Sequence, residues 1–225
     1  MRGRTIVFDL DGTLVDTAPD LAATLNTVLA REGIAPIPYA TVRPMIGGGA
    51  RRMLERGLRE RGSSTAKADL DRLFDEFIGH YAIHLADQSR PYPGLVDALD
   101  RLAAKGCRLA VCTNKLEWLS VRLLDTLGLA ARFAAICGQD TFGVPKPDPQ
   151  MLRLTIAKAG GGSDAAVMVG DSATDVDTAR AAGIPVVAVD FGYSEIPIAQ
   201  LKPDRIISHF DDLPEAVAVL LAKAG

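Results

Sequence analysis

The sequence predicts an α/β protein, a parallel sheet covered by helices, with an all-helical block inserted after the first strand. Three observations carry that prediction. Thr5-Ile6-Val7-Phe8 is a run of β-branched and aromatic residues that reads as a buried strand. From Pro91 onward, short apolar runs alternate with stretches of helical periodicity, the pattern of parallel strands joined by crossover helices. Between these two regions, the stretch 16–87 shows helical spacing and no strand signal.

Taken in order, the first strand ends in two carboxylates, Asp9 and Asp11, followed by Gly12 and Thr13. Residues two apart share a face while a strand continues, so both acids can address one site if the strand runs that far. Asp16 to Asp20 reads as a helix start, with Pro19 in the first turn and Asp20 complementing the dipole. Leu21, Leu25, Val28 and Leu29 continue that helix to Gly33, and Pro36 and Pro38 break the chain. A second helix follows Gly47-Gly48-Gly49 with Met53, Leu54 and Leu58. A third carries an apolar stripe of Leu70, Leu73, Phe74, Phe77, Ile78 and Tyr81, expected to pack inside the helical block.

After Pro91-Tyr92-Pro93-Gly94, a helix with Leu95, Leu99 and Leu102 stops at Gly106. Arg108 to Cys112 reads as a strand, Leu116 to Leu127 as a helix, and Ala134 to Cys137 as a weaker strand. A helix follows Pro149. Ala166 to Val169 is a strand, Thr174 to Ala182 a helix and Pro185 to Val189 a strand. Arg205 to Ile207 is a short edge strand, and Leu213 to Ala224 a closing helix.

The totals narrow the function. At 225 residues the chain can bury a full α/β core plus a small insertion. Hydrophobic residues at 48% and charged residues at 24% are those of an ordinary globular protein. A net charge of −3 gives no general attraction to nucleic acid or anionic membrane. The cluster of Arg51, Arg52, Arg56, Arg59 and Arg61 reads as a solvated helix face. Cys107, Cys112 and Cys137 have no metal-ligand spacing and read as buried free thiols in a reducing compartment. With no apolar signal core and no run long enough to span a bilayer, a cytoplasmic location is expected.

Polar groups collect at the ends of the strands: Asp9 and Asp11, then Thr113, Asn114 and Lys115, then Asp171, Ser172 and Asp175. Lys146 lies in a proline-stiffened loop, Val144-Pro145-Lys146-Pro147-Asp148-Pro149. In a parallel sheet these ends lie along one edge, where ligands bind. Four carboxylates, a hydroxyl, a lysine and turn amides suit a phosphoryl group with a divalent cation to compensate the acids. Gly47-Gly48-Gly49 reads equally as a hinge or as a nest of N–H groups for the substrate's anionic end. Arg43 and Arg51 read as surface residues, and Trp118 as packing or substrate-adjacent.

Phe8-Asp9-Leu10-Asp11-Gly12-Thr13-Leu14, Thr113-Asn114, Lys146-Pro147 and Gly170-Asp171 through Asp175 resemble the four motifs of the haloacid dehalogenase superfamily, in order and spacing. Asp16 to Leu21, Ile46 to Gly49 and Thr113 to Lys115 are most similar to its bacterial phosphoglycolate phosphatases. The resemblance implies a Rossmann-like core of 1–15 and 88–225 and a helical cap domain of 16–87. It implies Asp9 as nucleophile and Asp11 as acid and base, with Thr113, Asn114, Lys146 and Gly48 binding substrate. It implies Mg²⁺ held by Asp9, the Asp11 backbone carbonyl and Asp171, with Asp175 in support. The implied activity is hydrolysis of a small phosphate monoester, most of all 2-phosphoglycolate, through an aspartyl phosphate. A sugar-phosphate phosphatase or a beta-phosphoglucomutase-like enzyme shares the motifs. A binding protein that keeps the fold without catalysis is disfavoured, because no motif position is substituted.

Overall fold

A computed structural model describes residues 1–63 and 67–223. β1 (Thr5–Phe8) is followed by a two-residue strand, β2 (Val15–Asp16), and by the helices α1 (Ala18–Arg31), α2 (Tyr39–Val42), α3 (Ala50–Glu60) and α4 (Lys67–His84). The chain then returns through β3 (Arg90–Pro91), α5 (Leu95–Ala104), β4 (Arg108–Cys112), α6 (Glu117–Thr126), β5 (Ala135–Cys137) and α7 (Pro149–Lys158). It ends with β6 (Ala166–Gly170), α8 (Ala173–Ala182), β7 (Val186–Val189), β8 (Arg205–Ile207) and α9 (Leu213–Lys223). Ala224, where the sequence suggests the last helix ends, lies outside the described residues.

The six-stranded sheet has the order β5-β4-β1-β6-β7-β8, and every pairing is parallel. Each central strand is apolar on both faces, as a doubly covered parallel sheet requires. Ile6 and Phe8 face one core with Leu109, Val111, Val167 and Val169; α5, α6 and α9 cover it through Leu99, Leu123 and Val217. Val7, Ala110, Cys112 and Met168 face the other, beneath Met151 and Ile156 of α7 and Val176 of α8. The period-two alternation therefore sorts consecutive residues into two separate cores. Cys107, Cys112 and Cys137 are buried free thiols.

The helical insertion packs around α4, which contacts both α1 and α3. Leu73, Phe77 and Tyr81 of its stripe are buried, and Phe77 stacks on Tyr81 at 6.1 Å between ring centroids. The expectation of no strand in 16–87 needs one correction. Asp16 pairs with Arg90 in the antiparallel ladder of β2 and β3, which joins the two chain crossings side by side. Two residues are too few to show periodicity, and the pairing exists only because both crossings meet. Asp20 fixes the same junction: its carboxylate accepts from the Gln88 N–H (3.0 and 3.1 Å), the Ser89 N–H (2.8 Å) and the Ser89 hydroxyl (2.7 Å). Among the described residues, no helix is long and apolar enough to cross a membrane.

Candidate active site

β1 stops at Phe8, so Asp9 and Asp11 leave the strand in a turn rather than on one strand face. Gly12 makes that turn possible at φ 86°, a conformation that costs a side-chain-bearing residue strain. The two carboxylates part company there. Asp9 joins Asp171 and Asp175, whose ligand oxygens all lie within 4.8 Å of one another. Asp11 turns to Lys115, whose ammonium donates to both of its oxygens at 2.8 and 2.9 Å, and accepts from the Thr17 hydroxyl at 2.7 Å.

The buried acids are held from several sides. Asp171 follows β6 and accepts from the Thr13 hydroxyl (3.0 Å) and the Tyr193 N–H (2.6 Å). Asp175, in the first turn of α8, accepts with one oxygen from the N–H groups of Asp171 and Ser172 and from the Ser172 hydroxyl. Its other oxygen takes the Lys146 ammonium at 2.6 Å. Lys146 also pairs with Asp9 at 2.8 Å. The Lys146 loop is clamped by Asn114, whose carbonyl accepts from the Lys146 N–H (2.9 Å) and whose amide donates to the Lys146 carbonyl (3.1 Å).

Three buried carboxylates face one ammonium, and the imbalance shows in their protonation. Burial pushes the Asp9 carboxyl up to about 7, against the pull of Lys146; Asp175 and Asp11 add to the rise. Burial first, then Asp175 and Asp9, raises Asp171 well above the ordinary carboxylate range. Burial disfavours the Lys146 ammonium, but Asp175 and Asp9 outweigh it and its proton is held more tightly than usual. A hard divalent cation fits this donor set of carboxylate oxygens and would supply the missing positive charge. Asp171 is held closely by two glycines: a Cβ on Gly12 would lie 2.5 Å from its carboxylate oxygen, and one on Gly192 2.2 Å from its Cβ.

Above the acids lies a narrow cavity of about 40 Å³, closed by the helical insertion. Asp9, Asp11, Thr113, Asn114 and Lys115 form its polar side; Leu21, Ile46, Met53, Phe74, Ile78 and Tyr81 face them. Asn114 is brought to the cavity, but its side chain is committed to the Lys146 backbone. Gly48 is not on the cavity wall, whereas Gly47 and Gly49 are. A Cβ at Gly48 would meet the Arg52 side chain at 2.9 Å, so that residue faces a neighbouring recess. Arg43 donates to the Phe191 carbonyl at 2.8 Å, and Arg51 pairs with Asp71 at 2.7 Å; neither lines the cavity. Trp118 is 46% exposed on an open groove, away from the acids.

Sequence reasoning gave Lys115 no role, although it stands beside Thr113 and Asn114. Tyr193 was missed entirely. Its hydroxyl accepts from the N–H groups of Thr17 and Ala18 (2.7 and 2.9 Å) and donates to Asp16 (2.6 Å), while its own N–H holds Asp171. No local pattern marks such a residue, because its role depends on the chain after β7 returning over the insertion's entry.

The family model for haloacid dehalogenase-like hydrolases matches residues 6–189. The chain is 50% identical to a phosphoglycolate phosphatase of Mesorhizobium japonicum over 98% of its own length and 97% of that protein's. It is 46% identical to a phosphoglycolate phosphatase of Agrobacterium fabrum, covering 97% and 94% of the two chains. Its fold is similar to the crystal structure of a predicted phosphoglycolate phosphatase from Haemophilus somnus, with a TM-score of 0.88, 31% identity, and 96% and 98% of the chains covered.

Proposed function

Since the chain belongs to the haloacid dehalogenase-like hydrolases and is a phosphoglycolate phosphatase-like enzyme of that family, we propose that it is a Mg²⁺-dependent phosphatase of short phosphorylated carboxylic acids, with 2-phosphoglycolate as its substrate. The observation that carries this reading is the buried cluster of Asp9, Asp171, Asp175 and Lys146, whose Asp9 also lines the cavity beneath the helical insertion. The names of the relatives support the choice of substrate.

In this reading Asp9, Asp171 and the Asp11 backbone carbonyl hold Mg²⁺, with Asp175 supporting them through Lys146. When bound, the ion neutralises the phosphoryl oxygens and the carboxylates together. Thr113 and Lys146 bind the remaining phosphoryl oxygens. Asp9 attacks phosphorus in line, and the bond to the ester oxygen breaks as Asp11 hands that oxygen a proton. Asp11 then takes a proton from water, the hydroxide attacks phosphorus, and the Asp9 carboxylate is released with phosphate. Residues 16–87 act as a cap on a core of 1–15 and 88–225, closing over the site to exclude water while the aspartyl phosphate forms. The protein works without nucleic acid or membrane, in the cytoplasm.

Phosphate release by the purified protein tests the class. Hydrolysis of 2-phosphoglycolate is expected with Mg²⁺, lost with EDTA, and lowered by roughly 10³-fold or more in Asp9→Asn. A panel that includes hexose phosphates tests the substrate, and a marked preference for the hexose esters would overturn the choice of a short acid.

A further inference from the structure

Tyr81 lies near the end of α4, is 1% exposed, and lines the cavity. Its hydroxyl is buried and has no hydrogen-bond acceptor among the described residues. The Lys115 ammonium lies over its ring, 4.6 Å from the centroid, and beside the hydroxyl, but an ammonium can only donate, so the O–H proton itself has no acceptor there. A buried hydroxyl left without an acceptor is destabilising, and phenylalanine would fill the same space without that cost. The neighbouring Lys115 has one donor beyond its bonds to Asp11, on the side of Tyr81. An ammonium has three donors, and Asp11 engages it through its two oxygens.

The surroundings restrict what these groups can serve. The wall contributed by the helices is otherwise apolar, with Leu21, Met53, Phe74 and Ile78. A phosphoryl group seated at Asp9, Thr113 and Lys146 leaves the rest of its molecule against this wall. Tyr81 brings the wall an unengaged O–H donor, next to the cationic Lys115. A neutral donor beside a cationic donor matches the two oxygens of a carboxylate. A neutral hydroxymethyl or methyl end would leave the Tyr81 hydroxyl unpaired or gain no charge assistance.

We infer that the Tyr81 hydroxyl and the Lys115 ammonium together bind the carboxylate of the substrate, one or two carbons from the phosphate ester oxygen, and so select acids over neutral phosphate esters. This rests on the phosphatase reading above. The missing acceptor of the Tyr81 hydroxyl is the substrate, so discrimination against esters lacking the acid follows from a vacant bond, not from a clash.

The test compares 2-phosphoglycolate with ethyl phosphate, which has the same two-carbon frame without the carboxylate. In Tyr81→Phe, the ratio of kcat/KM for the acid over the neutral ester is expected to fall by about 10-fold or more, mainly through KM for the acid. The thermal midpoint of the ligand-free variant is expected to equal or exceed that of the unmodified protein. An unchanged ratio overturns the inference while the phosphatase reading stands. So does a lowered midpoint with equal losses on both esters, which would mark the hydroxyl as structural. Turnover of neither ester by the unmodified protein overturns both readings.

Discussion

Asp171 is enclosed by two glycines, and Gly192 is the more instructive because its backbone needs no special conformation. The requirement there is purely steric: an added Cβ would lie 2.2 Å from the Asp171 Cβ, which cannot yield without moving the carboxylate. Gly192→Ala is therefore expected to lower apparent Mg²⁺ affinity by about 10- to 100-fold, as changes to the support of a metal ligand do. Titrating phosphatase activity with Mg²⁺ and measuring binding by calorimetry would check this. Some of these residues announce themselves in the sequence and others do not. Lys146 is legible because prolines on both sides make no sense for an ordinary surface lysine. Asp175 is legible through the resemblance of Gly170 to Asp175 to a family motif; its place in a helix's first turn alone would read as an ordinary acid near the N-terminal amides. Lys115, Tyr81 and Gly192 are not, since each acquires its role from a segment far away in the chain. Tyr81 looks like one more member of an apolar stripe until its hydroxyl is seen without an acceptor among the described residues.

At the scale of the element, α5 shows how much of the fold is simple burial. Leu95, Leu99 and Leu102 are fully buried against the sheet, while the opposite face of the helix is exposed. Deleting most of one such side chain removes its transfer free energy and leaves a cavity, so Leu99→Ala is expected to lose about 2–5 kcal/mol of stability. A lowered urea midpoint with an unchanged slope would confirm it. Elements of this kind were legible from periodicity alone, as were β4 at Arg108 to Cys112 and β8 at Arg205 to Ile207. The ladder of β2 and β3 was not, because it owes nothing to its own composition: Arg90 and Pro91 are poor strand residues paired by proximity. The same ladder, with Asp20 bound to Gln88 and Ser89, ties the start of the helical insertion to its end.

For the molecule as a whole, a core buried on both sides of the sheet has a chemical consequence for its thiols. Burial pushes the Cys112 thiol up to about 12 and raises Cys107 and Cys137 as well. The thiolate is the reactive form, so the native protein is expected to react only slowly with a disulfide reagent at about pH 8, with all three thiols released on unfolding in guanidinium. The sign of the linked stability follows. The folded state holds the Cys112 proton more tightly than the unfolded chain, so this contribution is full below the unfolded value and is lost as pH rises from about 9 toward 12. Sheet order was the least legible property of the molecule, because pairing partners are fixed by the closing of the whole chain and not by any one segment. That order also sets a timetable. β1 precedes both of its neighbours, Arg108–Cys112 and Ala166–Gly170, by about a hundred residues or more of chain. The strand that leads into Asp9 must therefore wait for partners made later: its first edge can pair only once Cys112 is made, and its second closes only after the sixth strand emerges. The strand beneath the acids is thus completed late relative to its own synthesis, and one of its edges stays open to wrong partners until Ala166–Gly170 arrives.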